Sequence, residues 1–113
     1  MNIEKFHIYL ANLNLRFGTE PGKIRPVVVI QTDLLNNTHP STIICPVTSQ
    51  ITQEANVLRV HLSGKGAGLK VDSDIVVDQI RSIDNRRFLK KVGRLTPSQS
   101  EKLLESLRVL IME

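Results

Sequence analysis

The sequence predicts a mostly β domain, a small and mostly antiparallel barrel with one α-helix attached at the carboxy terminus. Three observations carry that expectation. Apolar residues recur with a period of two in several short runs. Gly, Pro, Asn, Asp and Ser cluster between those runs and mark turns. Only the last stretch, from Thr96, carries apolar residues at helical spacing. At 113 residues, the chain 1–113 reads as a single domain with a modest core.

The elements follow in order. In "FHIYLAN", Phe6, Ile8 and Leu10 alternate with His7, Tyr9 and Ala11, which predicts a half-buried strand. After Pro26, the run from Val27 to Ile30 is apolar at both parities, as in a central strand covered on both faces. "STIICPVTS" repeats that character, and Pro46 within it predicts an edge or a bulge. In "VLRVHL", Leu58, Val60 and Leu62 point one way, and Val57, Arg59 and His61 the other. "DIVVDQIRSI" predicts a further strand and "KKVGRL" a short last one, with Asp84 capping one helical turn over "NRRFL" between them. The helix opens with Thr96 as N-cap, Pro97 at the first position and Gln99 completing a capping box. Its stripe of Leu103, Leu104, Leu107, Leu110 and Ile111 is expected on the sheet or on a second subunit.

Composition narrows the function classes. With 41% hydrophobic and 23% charged residues the chain reads as an ordinary globular one. Tyr9, Phe6, Phe17 and Phe88 are its only aromatics, too few for a stacking platform, which argues against the aromatic RNA-binding modules but not against RNA as a substrate. The net charge of +4 is concentrated in Arg81, Arg86, Arg87, Lys90, Lys91 and Arg94, opposed nearby only by Asp78 and Asp84. Such a surface attracts polyanions. Cys45, the single cysteine, has no internal disulfide partner and reads as a small core residue. The first ten residues alternate and carry charge, unlike a signal peptide, and no apolar run reaches transmembrane length. The expectation is a cytoplasmic protein without a membrane role.

Two tempting motifs fail on spacing. "SGKGAGLK", residues 63–70, lacks the four residues between glycines and the Ser or Thr after Lys that a phosphate-binding loop needs, and reads as a flexible hairpin loop. His7, His39 and His61 stand far apart with no metal-ligand spacing, so they are expected on the surface, no metal or cofactor is expected, and hydrolytic chemistry would proceed without metal. Arg25 is different. The residue before a proline is driven to extended geometry and Pro26 fixes its own φ, so Arg25 stands at a stiff loop-to-strand junction. Gly18 and Gly22 let the preceding loop bend close to it. Thr48 ends another core strand, and Asp78, Gln79 and Arg81 interrupt a third. Each alone matches a solvated strand end; together they suggest three strands converging on one rim.

In combination these residues resemble the MazF/PemK family of toxin endoribonucleases. The matching blocks are "GTEPGKIRPVVVIQ", "PVTSQ", "GLKVDSDIVVDQIRSID" and "VGRLTPSQSEKLLESLRVL", in family order over nearly the whole chain. The amino terminus departs from the pattern, with Phe6-His7 in place of a Gly-Asp pair and "NLNL" in place of "D-L-x-P". The resemblance implies an SH3-like barrel acting as a homodimer, and metal-independent, sequence-specific cutting of single-stranded RNA. It implies Arg25 and Thr48 as the catalytic pair, with Glu20, Ser49, Gln50, Ser73, Asp78, Gln79 and Arg81 supporting catalysis or binding substrate. It also implies a MazE-like antitoxin whose acidic, flexible segment covers the RNA site. The general base stays open between Glu20 and Asp78. Two other readings are a gyrase-directed toxin of the CcdB type and a non-catalytic RNA-binding barrel. The former needs a Trp-Gly-Ile ending, whereas this chain ends "RVLIME" and has no Trp; the latter would use the basic segment 81–94.

Overall fold

The computed structural model describes residues 1–14, 23–52 and 57–113. Its strands are β1 (His7–Asn12), β2 (Ile24–Val29), β3 (Ser41–Thr48), β4 (Arg59–Leu62), β5 (Ser73–Val76), β6 (Arg81–Asp84) and β7 (Phe88–Arg94). Two helices accompany them, the single turn α1 (Gly64–Ala67) and the terminal α2 (Pro97–Met112). The strands form one antiparallel sheet in the order β4-β5-β3-β2-β1-β7, with β6 also paired to β3. The expected mostly antiparallel β fold with its terminal helix is present, and among the described residues the outer strands β4 and β7 do not pair, so the sheet is not closed between them.

Strand β3 is the hub. One edge pairs with β2; the other pairs with β6 from Ser41 to Ile44, then with β5 at Val47 and Thr48. Pro46 falls where β3 changes partner, a point where a missing N–H costs no ladder bond. Strand β2 is covered on both faces as expected: Val28 joins one buried cluster with Ile8, Val47, Ile75 and Leu103, while Val27 and Val29 join another with Tyr9, Ile44 and Phe88. Cys45 is buried in the first cluster, and burial pushes its thiol up to about 12.

Four local expectations are corrected. Strand β1 is not half-buried, because Ile8, Tyr9 and Ala11 are all fully buried. Tyr9 tolerates this because its hydroxyl accepts the Glu4 N–H (2.8 Å) and donates to the Asn2 carbonyl (3.0 Å), while its ring meets Phe88 edge-on at 5.4 Å. His7 is half-buried rather than on the surface; its imidazole pKa is lowered, chiefly by that burial. "DIVVDQIRSI" is not one strand: a 3₁₀ turn over Val77–Gln79 separates β5 from β6, turning the chain where β3 changes partners. Similarly, "SGKGAGLK" is not a hairpin loop. It forms α1, whose Gly64 and Ala67 are buried, closed by Gly68 at φ +76°.

Helix α1 lies directly on the backbone of β7. A Cβ at Gly93 would stand 2.1 Å from the Ala67 carbonyl oxygen, so no side chain fits there. Gly93→Ala is expected to cost about 1–3 kcal/mol by overpacking, read as a fall in thermal unfolding midpoint.

Both caps form as the sequence predicts. Thr96 Oγ1 accepts the Gln99 N–H at 3.1 Å, and Gln99 Oε1 accepts the Thr96 N–H at 2.8 Å. Asp84 accepts the Arg86 N–H over a 3₁₀ turn at Asn85–Arg87. The helical stripe is narrower than expected. Leu103 is buried and Leu107 packs beside it, but Leu104, Leu110 and Ile111 are exposed.

Candidate active site

Arg25 is the second residue of β2, held by backbone pairing to Ala11 of β1. Antiparallel pairing of β2 with β3 sets Val27 against Pro46. The pairing ends there, so Arg25 lies two residues beyond it on β2 and Thr48, the last residue of β3, two residues beyond it on β3. The stiff X-Pro junction and the end of the hub strand therefore leave the paired region on the same side.

Both residues line one cavity of about 610 Å³, floored by apolar side chains including Leu10, Val47, Leu69 and Val92. Ser49, Gln50 and Ser73 line it too, as do Lys70 and Lys90. Among the described residues its walls carry three cationic side chains, Arg25, Lys70 and Lys90, and no carboxylate. That balance suits an anion.

The polar groups are not equally available. Arg25 is exposed and makes no ion pair or side-chain hydrogen bond among the described residues. Thr48 Oγ1 accepts the Gln50 N–H at 3.1 Å, which fixes the oxygen and leaves its proton to be donated. The Ser73 hydroxyl is already spent on the Val71 carbonyl at 3.0 Å, and the residue is buried.

The third expected group does not reach this cavity. Asp78 and Gln79 stand exposed in the 3₁₀ turn, and none of Asp78, Gln79 and Arg81 lines the cavity. Arg81 pairs with Ile44, four residues before Thr48, which is about 13 Å along the strand. The partner change of β3 is the reason. Glu20 lies outside the described residues.

Sequence reasoning missed two features. Lys70 joins the wall because α1 turns the chain back over the cavity, a turn hidden inside the glycine-rich segment. In the sequence Asp74 is one more residue of a long strand, yet it is buried to 1% exposure beside Arg59 and His61. A lone acid beside an apolar run was the only available signal.

Much of the basic segment is already engaged. Arg86 holds Asp84 with two hydrogen bonds, of 3.0 and 2.9 Å, which brings the Asp84 carboxyl down to about 2. Arg87 donates to the carbonyls of Asn12 and Asn14, and Lys91 pairs with Glu4. Among the described residues no group of His, Cys, Asp and Glu is arranged to hold a metal ion.

A family model described as "PemK-like, MazF-like toxin of type II toxin-antitoxin system" matches residues 4–111. The chain is 34% identical over 109 residues to Endoribonuclease EndoA of Bacillus subtilis (strain 168), covering 96% of this chain and 94% of that protein. Its fold is similar to that of MazF from Deinococcus radiodurans (TM-score 0.79, 24% identity, 100% and 99% of the two chains). A MazE-MazF structure from the same organism is also similar (TM-score 0.83, 22% identity, 99% and 97%).

Proposed function

The chain belongs to the family of PemK-like, MazF-like toxins of type II toxin-antitoxin systems, and from that premise we propose that it is an endoribonuclease cutting single-stranded RNA in the cavity of Arg25 and Thr48. The observation that carries this reading is that Arg25, its backbone held by β1 and its guanidinium unpaired among the described residues, lines the same open cavity as the oriented Thr48 hydroxyl, and that the described walls of that cavity carry no carboxylate.

The chemistry follows from those side chains. The substrate brings its own nucleophile, the ribose 2′-hydroxyl, so no activated water is required. Its oxygen bonds to the adjacent phosphorus as its proton departs; the bond from phosphorus to the 5′-oxygen breaks, and that oxygen takes up a proton. Negative charge grows on the phosphoryl oxygens between these events. Arg25 can meet it with two charge-assisted hydrogen bonds, stronger in the transition state than in the ground state. Thr48 donates its proton to a phosphoryl oxygen or to the leaving 5′-oxygen while Gln50 N–H holds its own oxygen in place. Lys70 and Lys90 offer charge to neighbouring phosphates. The products are a 2′,3′-cyclic phosphate and a 5′-hydroxyl. Asp78 does not line the cavity, so within the described residues the cavity walls offer no carboxylate to act as general base.

The partner follows from the same charge. A MazE-like antitoxin with an acidic, flexible segment suits a cavity built for phosphate, and the toxin works as a homodimer in the cytoplasm, where its RNA is. Among the described residues no helix is long and apolar enough to cross a membrane.

The test is incubation with a long unstructured RNA in the presence of EDTA. The expected result is discrete fragments ending in 2′,3′-cyclic phosphate and 5′-hydroxyl. RNA retained in a gel shift but never cut would favour the non-catalytic reading instead.

A further inference from the structure

The segment after β3 has an unusual support. Ser49, Gln50, Ile51 and Thr52 are all exposed, so no buried apolar side chain anchors them, although Ser49 and Gln50 form one wall of the cavity. What holds them is polar. Asp74 Oδ2 accepts the Thr52 N–H at 3.1 Å and lies 3.5 Å from an Arg59 guanidinium nitrogen. That same nitrogen donates to the Gln50 carbonyl at 3.0 Å, and His61 Nδ1 lies 3.2 Å from Asp74 Oδ1. Asp74 is also the register partner of Thr48 in the pairing of β3 with β5.

Among the described residues Asp74 is the only charged side chain that is fully buried. Burying a carboxylate in a strand is costly, and a well-packed apolar pair would often be as stable. Arg59 and His61 stay partly exposed while the carboxylate itself is buried, so stability alone explains its burial poorly. Its geometry does more: it fixes the backbone at Gln50 and Thr52, on both sides of the exposed Ile51. The Gln50 N–H, oriented by that backbone, is the group that holds the Thr48 hydroxyl.

We propose that Asp74, with Arg59, is a positioning clamp that sets the course of the chain from Thr48 to Thr52, and through it the Thr48 hydroxyl and the Ser49–Gln50 wall of the cavity. The clamp rests on the endoribonuclease reading only for its consequence, since its existence is a matter of geometry.

Two measurements on the full chain separate these. Amide hydrogen exchange at Gln50 and Thr52 reports the clamp, and steady-state RNA cleavage reports its use. In Asp74→Asn and Arg59→Ala, loss of charged hydrogen bonds should speed exchange at those two amides by about tenfold or more, with β2 amides unchanged. Misplacing the hydroxyl should lower kcat by about tenfold or more while KM moves far less. Arg59→Lys, whose ammonium cannot span both partners as the planar fork does, should fall between. If Asp74→Asn does not fold, Arg59→Ala carries the test alone.

Wild-type exchange at Gln50 and Thr52 in the variants overturns the clamp. Uniform acceleration at every amide overturns a local role. Faster local exchange with unchanged kcat and KM overturns the positioning role and leaves Arg25 chemistry standing. A wild-type protein that cuts no RNA overturns the endoribonuclease reading and the positioning role with it, while the clamp stands or falls by exchange.

Discussion

Arg25→Ala is expected to slow RNA cleavage by about a hundredfold or more and to leave the fold intact. The first half follows from the chemistry. One preorganised donor aimed at the developing phosphoryl charge is typically worth about 3 kcal/mol of barrier, and Arg25 supplies two donors together with the charge. The second half follows from position. Arg25 is exposed, and what β2 needs from it is backbone pairing to Ala11, which alanine retains. An exposed substitution of this kind changes stability by about 0.5 kcal/mol at most, so the unfolding midpoint should barely move. Arg25→Lys keeps the charge without the planar fork and should recover only part of the rate. Single-turnover cleavage beside a thermal melt checks both halves. Wild-type cleavage in Arg25→Ala would remove the residue from the mechanism, and a collapsed melt would make it structural.

Replacing the 2′-hydroxyl at the cut site with hydrogen is expected to abolish cleavage there, whatever the enzyme concentration. The nucleophile is then absent from the substrate, and no group in the protein can replace it. Binding should persist, because Arg25, Lys70 and Lys90 address phosphate rather than the sugar hydroxyl. The modified RNA should therefore compete with unmodified RNA while remaining whole. Cutting of the modified strand at the original position would show that water, not the ribose, attacks phosphorus. EDTA sharpens the comparison, since the substrate's own nucleophile needs no metal to generate it.

Some of this was legible from the sequence, and the reason is distance along the chain. The cap of α2 needs only Thr96 and Gln99, three residues apart, so local spacing predicts it in full. The Asp84 cap is equally local. The double-faced burial of β2 could be read from Val27 to Ile30, because a strand apolar at both parities must be covered on both sides. Arg25 and Thr48 were singled out by strand-end position and by family motifs. Nothing in their 23-residue separation states that they share a cavity; the pairing of β2 with β3 brings their strand ends together, and both line it.

Tyr9 shows where such reading stops. Alternation in "FHIYLAN" sets it on the face opposite Ile8, but Asn2 and Glu4 satisfy its hydroxyl and let the ring go inside. The 74–83 segment shows the same limit at larger scale. Its composition suits one long strand, yet β3 offers one edge to two successive partners, and the chain must turn between them. That turn carries Asp78 and Gln79 away from the cavity.

Taken by itself, the amino-acid order determined the β-rich architecture, the terminal helix and the identity of a cation at a stiff junction before a core strand, since each depends on neighbours a few residues apart. Only the assembled sheet decided which polar groups meet. Lys70 reaches the cavity through a glycine-closed turn seated on β7, and Asp74 is buried beneath the Thr48–Thr52 segment through pairing on both of its sides. Those encounters join residues far apart along the chain, and hydrogen-bond register and close packing, which no local pattern encodes, bring them together.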